Sequence, residues 1–406
     1  MRILLASNAS YAPPRGGSTR SNLAWLRFLA AGGRQCRVIG ASIDAQEHET
    51  IDAGVSIRCV PDLARRSGLL AAEVARFHPD WVLVSSEDVS HSLLREAAHA
   101  APGRIIYLAH TPQFFPFGPE SWNPNSAALS LVRQARSVVA IGHHMAAYIR
   151  RYAGVNAAVI HPPIYGPPPW PQYFNFKNGW ITMINPCQVK GIAIFRALAE
   201  RFPGREFAAL IGWGATAADK EALSKRPNVR LLPTVPSIDE VLSKTSVLLM
   251  PSLWYEGFGL IAMEAMLRGV PVISSDSGGL VEAKQGAGYV IPVRPIERYL
   301  PEFDETHMPK PVVPEQNLEP WTDALNTLLT NEREYAAESA QSRSAAERFV
   351  SRLRAADFED LLLSLKPLKP FEPPPAQSSE QDRLDRLSAA KRELLLKRLR
   401  DRAPRP

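Results

Sequence analysis

The chain has 406 residues, which is too long for one ordinary domain, so we expect two or three domains. Apolar residues make up 45% and charged residues 22%, a globular composition that excludes a disordered chain. Residues 1–165 carry 16 basic and 11 acidic side chains, residues 166–362 carry 20 and 24, and residues 363–406 carry 11 and 6. Because the net charge of +6 is split in this way, with no basic patch interleaved with aromatic residues, we expect no nucleic-acid partner.

The three cysteines, Cys36, Cys59 and Cys187, are an odd number with no pairing pattern. They exclude a disulfide scaffold, favour a reducing cytoplasm and show no spacing typical of structural zinc. The apolar start at residues 3–6 is too short for a signal peptide, and no run of about 18 apolar residues predicts a membrane span. The sequence therefore predicts a cytoplasmic protein.

Short apolar runs alternate with helical patterns through the first 165 residues. Alternation at this spacing is typical of a parallel sheet with helical crossovers. The predicted strands are 2–7, 36–40, 81–85, 105–109 and 138–141. The predicted helices between them are 21–31, 93–99 and 127–135.

The same style continues after residue 175. The predicted strands are 180–184, 206–211, 229–232, 247–250, 270–274 and 289–292. The predicted helices are 195–202, 238–243 and 260–267. Two successive doubly wound α/β domains place the main ligand site in the cleft between them, at the carboxyl ends of the strands.

Prolines mark the boundaries, because proline-rich runs favour linkers and loops over helices and central strands. They cluster at 162–171, 295–320 and 367–375. The predicted organisation is a first Rossmann-like domain over 1–165, a second over 166–345, a helix over 346–365, a linker over 366–380 and a basic amphipathic helix over 381–406.

The most informative stretch is PSLWYEGFGLIAMEAMLRGVPVISSDSGGLVE, residues 251–282. Gly257 and Gly259 let the backbone come close to a ligand, and the following helix presents free N–H groups that suit a phosphate. Glu256 and Glu264 would repel a phosphate unless they bind the hydroxyl groups of attached sugars. The stretch therefore predicts a nucleotide-sugar site.

This stretch, with its E-x7-E spacing, resembles the donor half of glycosyltransferase family 4, retaining enzymes of the GT-B fold. The resemblance implies that Glu264 binds the ribose, that Glu256 binds the transferred sugar and that Lys190 neutralises the diphosphate leaving group. It also implies a set of donor-binding residues in the loop and at the helix start: Gly257, Phe258, Gly259 and Leu260.

On the first domain, the acceptor side, the resemblance implies two further positions. Gly16 and Gly17 match a glycine-rich loop that borders the diphosphate and the acceptor. His110, at the end of a predicted strand, matches a histidine that faces the transferred sugar. Residues 346–365 match the last helix of the fold, which crosses back onto the first domain.

Asn185 departs from the family pattern, which usually has an arginine five residues before the lysine. A neutral amide there, on the donor side, removes one positive charge from the leaving-group site, and such groups are typically worth about 10²–10³ in rate. We expect Arg15 or Arg20 of the first domain to compensate.

The implied reaction is hexosyl transfer from a nucleotide-diphosphate-sugar with retention and without a metal or other cofactor. The acceptor is predicted to be a small molecule or a lipid-linked compound, such as a secondary metabolite or a cell-surface glycan precursor. Two alternatives stay open: a degenerate protein that binds sugar nucleotides without turnover, and a nucleotide-sugar epimerase of the same fold.

Three further features carry open interpretations. The aromatic residues around the His110 loop line either the core or an apolar acceptor pocket: Tyr107, Phe114, Phe115, Phe117 and Trp122. The His143–His144 pair favours a surface or cleft role over a metal site. Glu282 is expected to cap the start of its own helix.

The last 26 residues, 381–406, predict an amphipathic helix with a leucine stripe amid basic side chains. The segment LSAAKRELLLKRL resembles short helical segments of nonribosomal peptide and polyketide synthases. It is predicted to dock a biosynthetic protein partner, to bind the inner membrane face as a peripheral helix or to self-associate.

Overall fold

The computed structural model describes residues 1–365 apart from residues 45, 62, 64 and 65. The predicted linker over 366–380 and the predicted helix over 381–406 lie outside the described residues. Within the described chain, no helix combines the length and apolar character needed to cross a bilayer.

The first sheet occupies the amino-terminal part of the chain. Its eight strands are β1 (Arg2–Ala6), β2 (Gln35–Ala41), β3 (His48–Asp52), β4 (Val55–Val60), β5 (Trp81–Ser85), β6 (Ile105–Ala109), β7 (Ser137–Ala140) and β8 (Ala158–Val159). Their spatial order is β3-β4-β2-β1-β5-β6-β7-β8. All neighbours pair in parallel except β3, which runs antiparallel to β4.

The second sheet is wholly parallel. Its six strands are β9 (Trp180–Ile184), β10 (Phe207–Leu210), β11 (Val229–Leu232), β12 (Thr245–Met250), β13 (Val272–Ser275) and β14 (Tyr289–Ile291). The order β11-β10-β9-β12-β13-β14 places β9 and β12 side by side at the centre. The loops that leave these two strands therefore meet at one edge of the sheet.

Helices cover both faces of each sheet, and the central strands β5 and β6 are buried throughout, as is β12 apart from Met250. The helices are α1 (Gly17–Ala31), α2 (Leu69–Phe77), α3 (Ser92–Ala100), α4 (Ser126–Gln134), α5 (His143–Ala153), α6 (Ile192–Arg201), α7 (Ala217–Ser224), α8 (Asp239–Leu242), α9 (Leu260–Leu267), α10 (Leu280–Ala283), α11 (Glu319–Thr330), α12 (Glu332–Val350) and α13 (Asp357–Ser364). This architecture confirms the predicted pair of doubly wound α/β domains.

Two predictions differ from the structure in the kind or number of elements. The proline-rich region 295–320, expected to be a loop, forms the antiparallel hairpin β15 (Arg298–Phe303) and β16 (Pro309–Val312) before α11 begins. A two-stranded ribbon tolerates prolines because both of its strands are edge strands. The helix predicted over 346–365 was wrong as one element, because α12 ends at Val350 and a turn separates it from α13.

Helix α13 packs on the first domain. The ring of Phe358 stacks on Trp25 of α1 with 4.9 Å between centroids, and Glu359 pairs with Arg34 at 2.8 Å. Trp25 and Met263, from opposite domains, belong to one continuous apolar cluster with Phe358. The two domains therefore share buried surface.

Lys284 is a fully buried cation in the second domain. Its ammonium donates to the Val272 carbonyl at 2.6 Å and lies 3.9 Å from the Glu338 carboxylate of α12. Burial lowers the pKa of Lys284 to about 8, although Glu338 opposes the shift. This pair ties the end of α10 to α12.

Stability should depend on pH through this lysine. In the unfolded chain its pKa returns to about 10.4, so the unfolded state binds more protons between about pH 8 and pH 10 and stability rises with pH there. We expect the urea midpoint of the wild type to rise relative to that of Lys284→Met when the pH is raised from about 7.5 to about 9.5. Equal changes in both proteins would contradict this assignment.

Candidate functional site

The two domains touch through glycines at the edges of the cleft. A Cβ atom added to Gly257, after β12, would lie 2.2 Å from the carbonyl oxygen of His110, which follows β6. A Cβ added to Gly17, at the start of α1, would lie 2.9 Å from the side chain of Leu260. Glycine is therefore needed at Gly257 for the loop after β12 to pack directly on the first domain.

Lys190 and Glu256 meet at the carboxyl edge of the second sheet. The Lys190 ammonium is 2.5 Å from Glu256 Oε1, and the Ser252 hydroxyl donates to the same oxygen at 2.5 Å. The Lys190 ammonium also lies 4.2 Å from the ring centroid of Trp254. Both charged side chains are largely buried, so their charges are screened less than surface charges.

The position of Lys190 depends on the glycine that follows it. Gly191 has a φ of 81° and its backbone packs so closely on β12 that an added Cβ would lie 2.0 Å from the Pro251 carbonyl oxygen. Only glycine fits there. The short turn Gln188–Lys190 is thereby held against the loop that carries Glu256.

Helix α9 starts directly after the glycine loop. Its N-cap residue, Gly259, has a φ of 102°, and no described side chain caps the first turn. The free N–H groups of that turn favour an anion. The first residue of α9, Leu260, lies four residues after Glu256.

Glu264, one turn inside α9, is buried and pairs across the cleft with Arg20 of α1 at 2.5 Å. Burial alone would lower the pKa of Arg20, but the Glu264 carboxylate raises it above its ordinary value. The guanidinium is thus engaged by Glu264. Arg15, which is exposed and has no ion pair with a described residue, is the remaining cation expected to compensate for Asn185.

His110 is buried at the end of β6. Its Nε2 atom contacts the Asn22 side-chain oxygen at 2.8 Å, and its Nδ1 atom has no hydrogen-bond partner among the described residues. Burial lowers the pKa of His110, so the ring is neutral near pH 7. A neutral ring offers no extra charge to the cleft.

Comparison with known proteins establishes the architecture. Sucrose-phosphate synthase from Thermosynechococcus elongatus superposes with a TM-score of 0.67 at 15% identity, covering 90% of this chain and 98% of that chain. HepE from Anabaena, solved with UDP-glucose, gives a TM-score of 0.63 at 15% identity over 90% and 98% of the two chains. A glycosyltransferase from Rickettsia africae gives 0.62 at 12% identity over 90% and 98%. This chain has the GT-B fold.

Two sequence matches stand beside the structural ones. Residues 182–331, within the second domain, match the family model described as Glycosyl transferases group 1. An uncharacterized 42.6 kDa protein in the cps region of Klebsiella pneumoniae is 30% identical over 93 residues, which is 23% of this chain. The match spans only 25% of that relative's length.

The aromatic residues near His110 divide into two groups in this GT-B protein. Three of them, Tyr107, Phe115 and Phe117, are buried in the core of the first domain and cannot line an open pocket. Trp122 instead reaches the second domain, with ring centroids 6.5 Å from Trp254 and 5.5 Å from Tyr299 of the hairpin, and Phe114 packs on Trp122 with 5.2 Å between ring centroids. Sequence reasoning missed the contact of Trp122 with Trp254 because the two residues belong to different domains.

Glu282 does not cap its own helix. Its two carboxylate oxygens accept the backbone N–H groups of His143 at 2.9 Å and His144 at 2.8 Å, at the start of α5 in the other domain, and one contacts His161 Nε2 at 2.9 Å. Burial opposes ionisation, but these hydrogen bonds lower the pKa of Glu282 overall. The contact fastens the second GT-B domain to the first.

The two adjacent histidines begin α5, and their backbones bind Glu282. Across the described residues, no group of three or more His, Cys, Asp or Glu side chains is arranged to hold a metal ion.

Glu282→Gln should weaken closure of the GT-B cleft. Loss of a charge-assisted contact is expected to lower kcat/KM for the donor by roughly tenfold and to raise the radius of gyration in X-ray scattering. Because the pKa of Glu282 is lowered, the contact is lost only as the pH falls below about 4.5. Glu221→Gln, in an exposed pair with Lys225, is the matched control. Unchanged kinetics and unchanged scattering in Glu282→Gln would contradict the role.

Proposed function

We propose that this protein is a retaining glycosyltransferase that moves a sugar from a nucleotide-diphosphate-sugar to an acceptor hydroxyl without a metal. The observation that carries the proposal is the placement of Lys190, Glu256 and the uncapped start of α9 at one edge of the cleft. Glu264, buried one turn further along α9, supports the binding of a hydroxyl-rich ribose beside the diphosphate.

The proposed reaction breaks the bond between the anomeric carbon and the diphosphate oxygen. Lys190 and the N–H groups of α9 stabilise the charge that develops on the departing diphosphate. The acceptor oxygen attacks the anomeric carbon from the face that the diphosphate leaves, and a leaving phosphate oxygen takes the acceptor proton. Glu256 binds the sugar hydroxyls, and neutral His110 faces the sugar without adding charge.

The loop before α1 completes the proposed donor site. Gly16 and Gly17 border the diphosphate, and Arg15 on the same loop supplies the cation that Asn185 does not. A uridine diphosphate sugar is the first donor to test, because HepE, which shares the fold, was solved with UDP-glucose. The acceptor is proposed to be a small molecule or a lipid-linked compound.

The stereochemical outcome tests the retaining mechanism. With a donor of known anomeric configuration, we expect proton NMR of the first-formed product to show the same configuration at the anomeric carbon. The opposite configuration would overturn the proposed route and would require a base on the far face of the sugar.

A second function, binding of a sugar nucleotide without turnover, is favoured by one residue. Asn185 leaves the leaving-group site one cation short of the pattern it resembles. Tight nucleoside diphosphate binding without product from any donor and acceptor would favour this second function. The proposed roles of the tail, docking to a protein partner or to a membrane surface, concern residues 381–406 and are separable from catalysis by deleting residues 376–406.

A further inference from the structure

Asn185 is built into the second domain in a specific way. It directly follows β9, is 7% exposed and has a φ of 56° in the left-handed region, where asparagine is tolerated far better than most residues. Its backbone N–H donates to the Leu210 carbonyl at 2.8 Å, so it also fixes the end of β10. The residue therefore sits between the ends of two neighbouring strands.

The turn that follows β10 wraps around the Asn185 side chain. The Asn185 side-chain oxygen accepts the Gly214 N–H at 2.9 Å. A Cβ atom added to Gly212 would lie 2.6 Å from that oxygen, so the turn packs against the amide with no spare room. A longer side chain at Asn185 would displace the turn.

Trp213, in the middle of this turn, connects it to Lys190. Its ring packs on Trp254 with 5.6 Å between centroids and an interplanar angle of 35°. The Lys190 ammonium in turn lies over the Trp254 ring, 4.2 Å from its centroid. Gly214 also packs near Cys187, and the backbone carbonyl of Cys187 accepts a hydrogen bond from the backbone N–H of Lys190 at 3.1 Å.

We infer that Asn185 is a positioning residue for Lys190, acting through the Gly212–Gly214 turn and the rings of Trp213 and Trp254. This inference rests on the proposed function, in which Lys190 neutralises the leaving group. The protein thus holds the Lys190 ammonium on the ring of Trp254. The family pattern would place a second cation, an arginine, at the position of Asn185. A cation over a tryptophan face is stabilised by the ring, and more strongly where water is excluded.

An arginine at position 185, as in the family pattern, should impair this protein. Asn185→Arg introduces a positive charge that should help a leaving group. It also forces a large side chain into the space closed by Gly212, and it places an arginine at a position whose positive φ is unfavourable for that residue. We expect it to lower kcat by roughly tenfold or more. A rise in kcat would overturn the inference.

A variant series separates positioning from folding. Asn185→Gly keeps the backbone conformation and removes the side-chain acceptor, while Trp213→Ala removes a half-exposed ring. Each should lower kcat by roughly fivefold with a smaller change in donor KM, because a displaced Lys190 acts mainly on the transition state. The double variant should be no worse than the poorer single variant, since both act on one path. Additive losses would overturn the inference.

The rate of Lys190 acylation by acetic anhydride measures its position without any turnover. We expect Lys190 to react severalfold faster in Asn185→Gly and in Trp213→Ala than in the wild type, with exposed Lys225 as the internal reference. An unchanged Lys190 rate in both variants would overturn the inference even in a protein with no transferase activity. Conversely, faster labelling in a protein without turnover would support the inference while the proposed function fails.

Discussion

Replacement of Lys190 by alanine is expected to lower kcat for release of the nucleoside diphosphate by about 10²–10³, the usual cost of removing one group that stabilises transition-state charge. Arg20 cannot take over from Lys190, because its guanidinium is held by Glu264. The measurement is steady-state nucleoside diphosphate release from UDP-glucose. Lys225→Ala, an exposed lysine on the same domain, is the control and should be unchanged.

A second effect of the same change must be separated from the first. In Lys190→Ala, Glu256 loses its ion pair and its unpaired charge repels a diphosphate, so donor KM should also rise. Adding Glu256→Gln should restore part of the donor binding without restoring kcat. An unaltered kcat in both variants would show that Lys190 does not act on the leaving group.

Gly257→Ala is expected to have the second large effect, by preventing the cleft from closing. The new methyl group would lie 2.2 Å from the His110 carbonyl and 3.1 Å from Ile141, and a backbone atom cannot move aside as a flexible side chain can. A clash of about 3 kcal/mol corresponds to a loss of roughly 100-fold in kcat/KM. The fold should survive, because the contact lies between domains.

Two other glycines make this prediction specific. Gly17→Ala should be milder, because its new methyl group would meet only the flexible end of Leu260 at 2.9 Å. Gly204→Ala has nothing within 4 Å and should behave as the wild type. Small-angle scattering should show expansion in Gly257→Ala alone. Full activity and an unchanged radius of gyration in Gly257→Ala would contradict the closed contact seen between the domains.

Strands that are buried on both faces were predictable almost residue by residue. The predicted bounds of 81–85, 105–109 and 180–184 agree with β5, β6 and β9, because each is a short and mainly apolar run followed by polar sequence. The helix over 260–267 was also predicted with its observed bounds. In contrast, α1 begins four residues before the predicted start, because Gly16 adopts a φ of 96° at its N-cap.

The polar strand β3 and the hairpin β15–β16 were missed for a common reason. The first is mostly exposed at a sheet edge, and the second contains prolines, so neither shows the apolar pattern of a central strand. Local chemistry could identify the loop from Pro251 to Gly259 because its glycines and the following helix are contiguous in sequence.

Contacts across the cleft could not be predicted from the sequence. The Arg20–Glu264 pair joins residues 244 positions apart, and Glu282 reaches the start of α5 from 138 positions away. No periodicity or spacing encodes how two separately folded domains face each other. For this reason Arg20 was expected to serve the leaving group, and Glu282 its own helix.

The most direct measurement of the central claim is nucleoside diphosphate release by the full chain from a panel of nucleotide sugars, compared with Lys190→Ala. We expect release from at least one donor, with UDP-glucose tested first, and a loss of about 10²–10³ in the variant. Turnover that survives unchanged in Lys190→Ala would contradict the account, and so would nucleoside diphosphate binding without release from any donor in the panel.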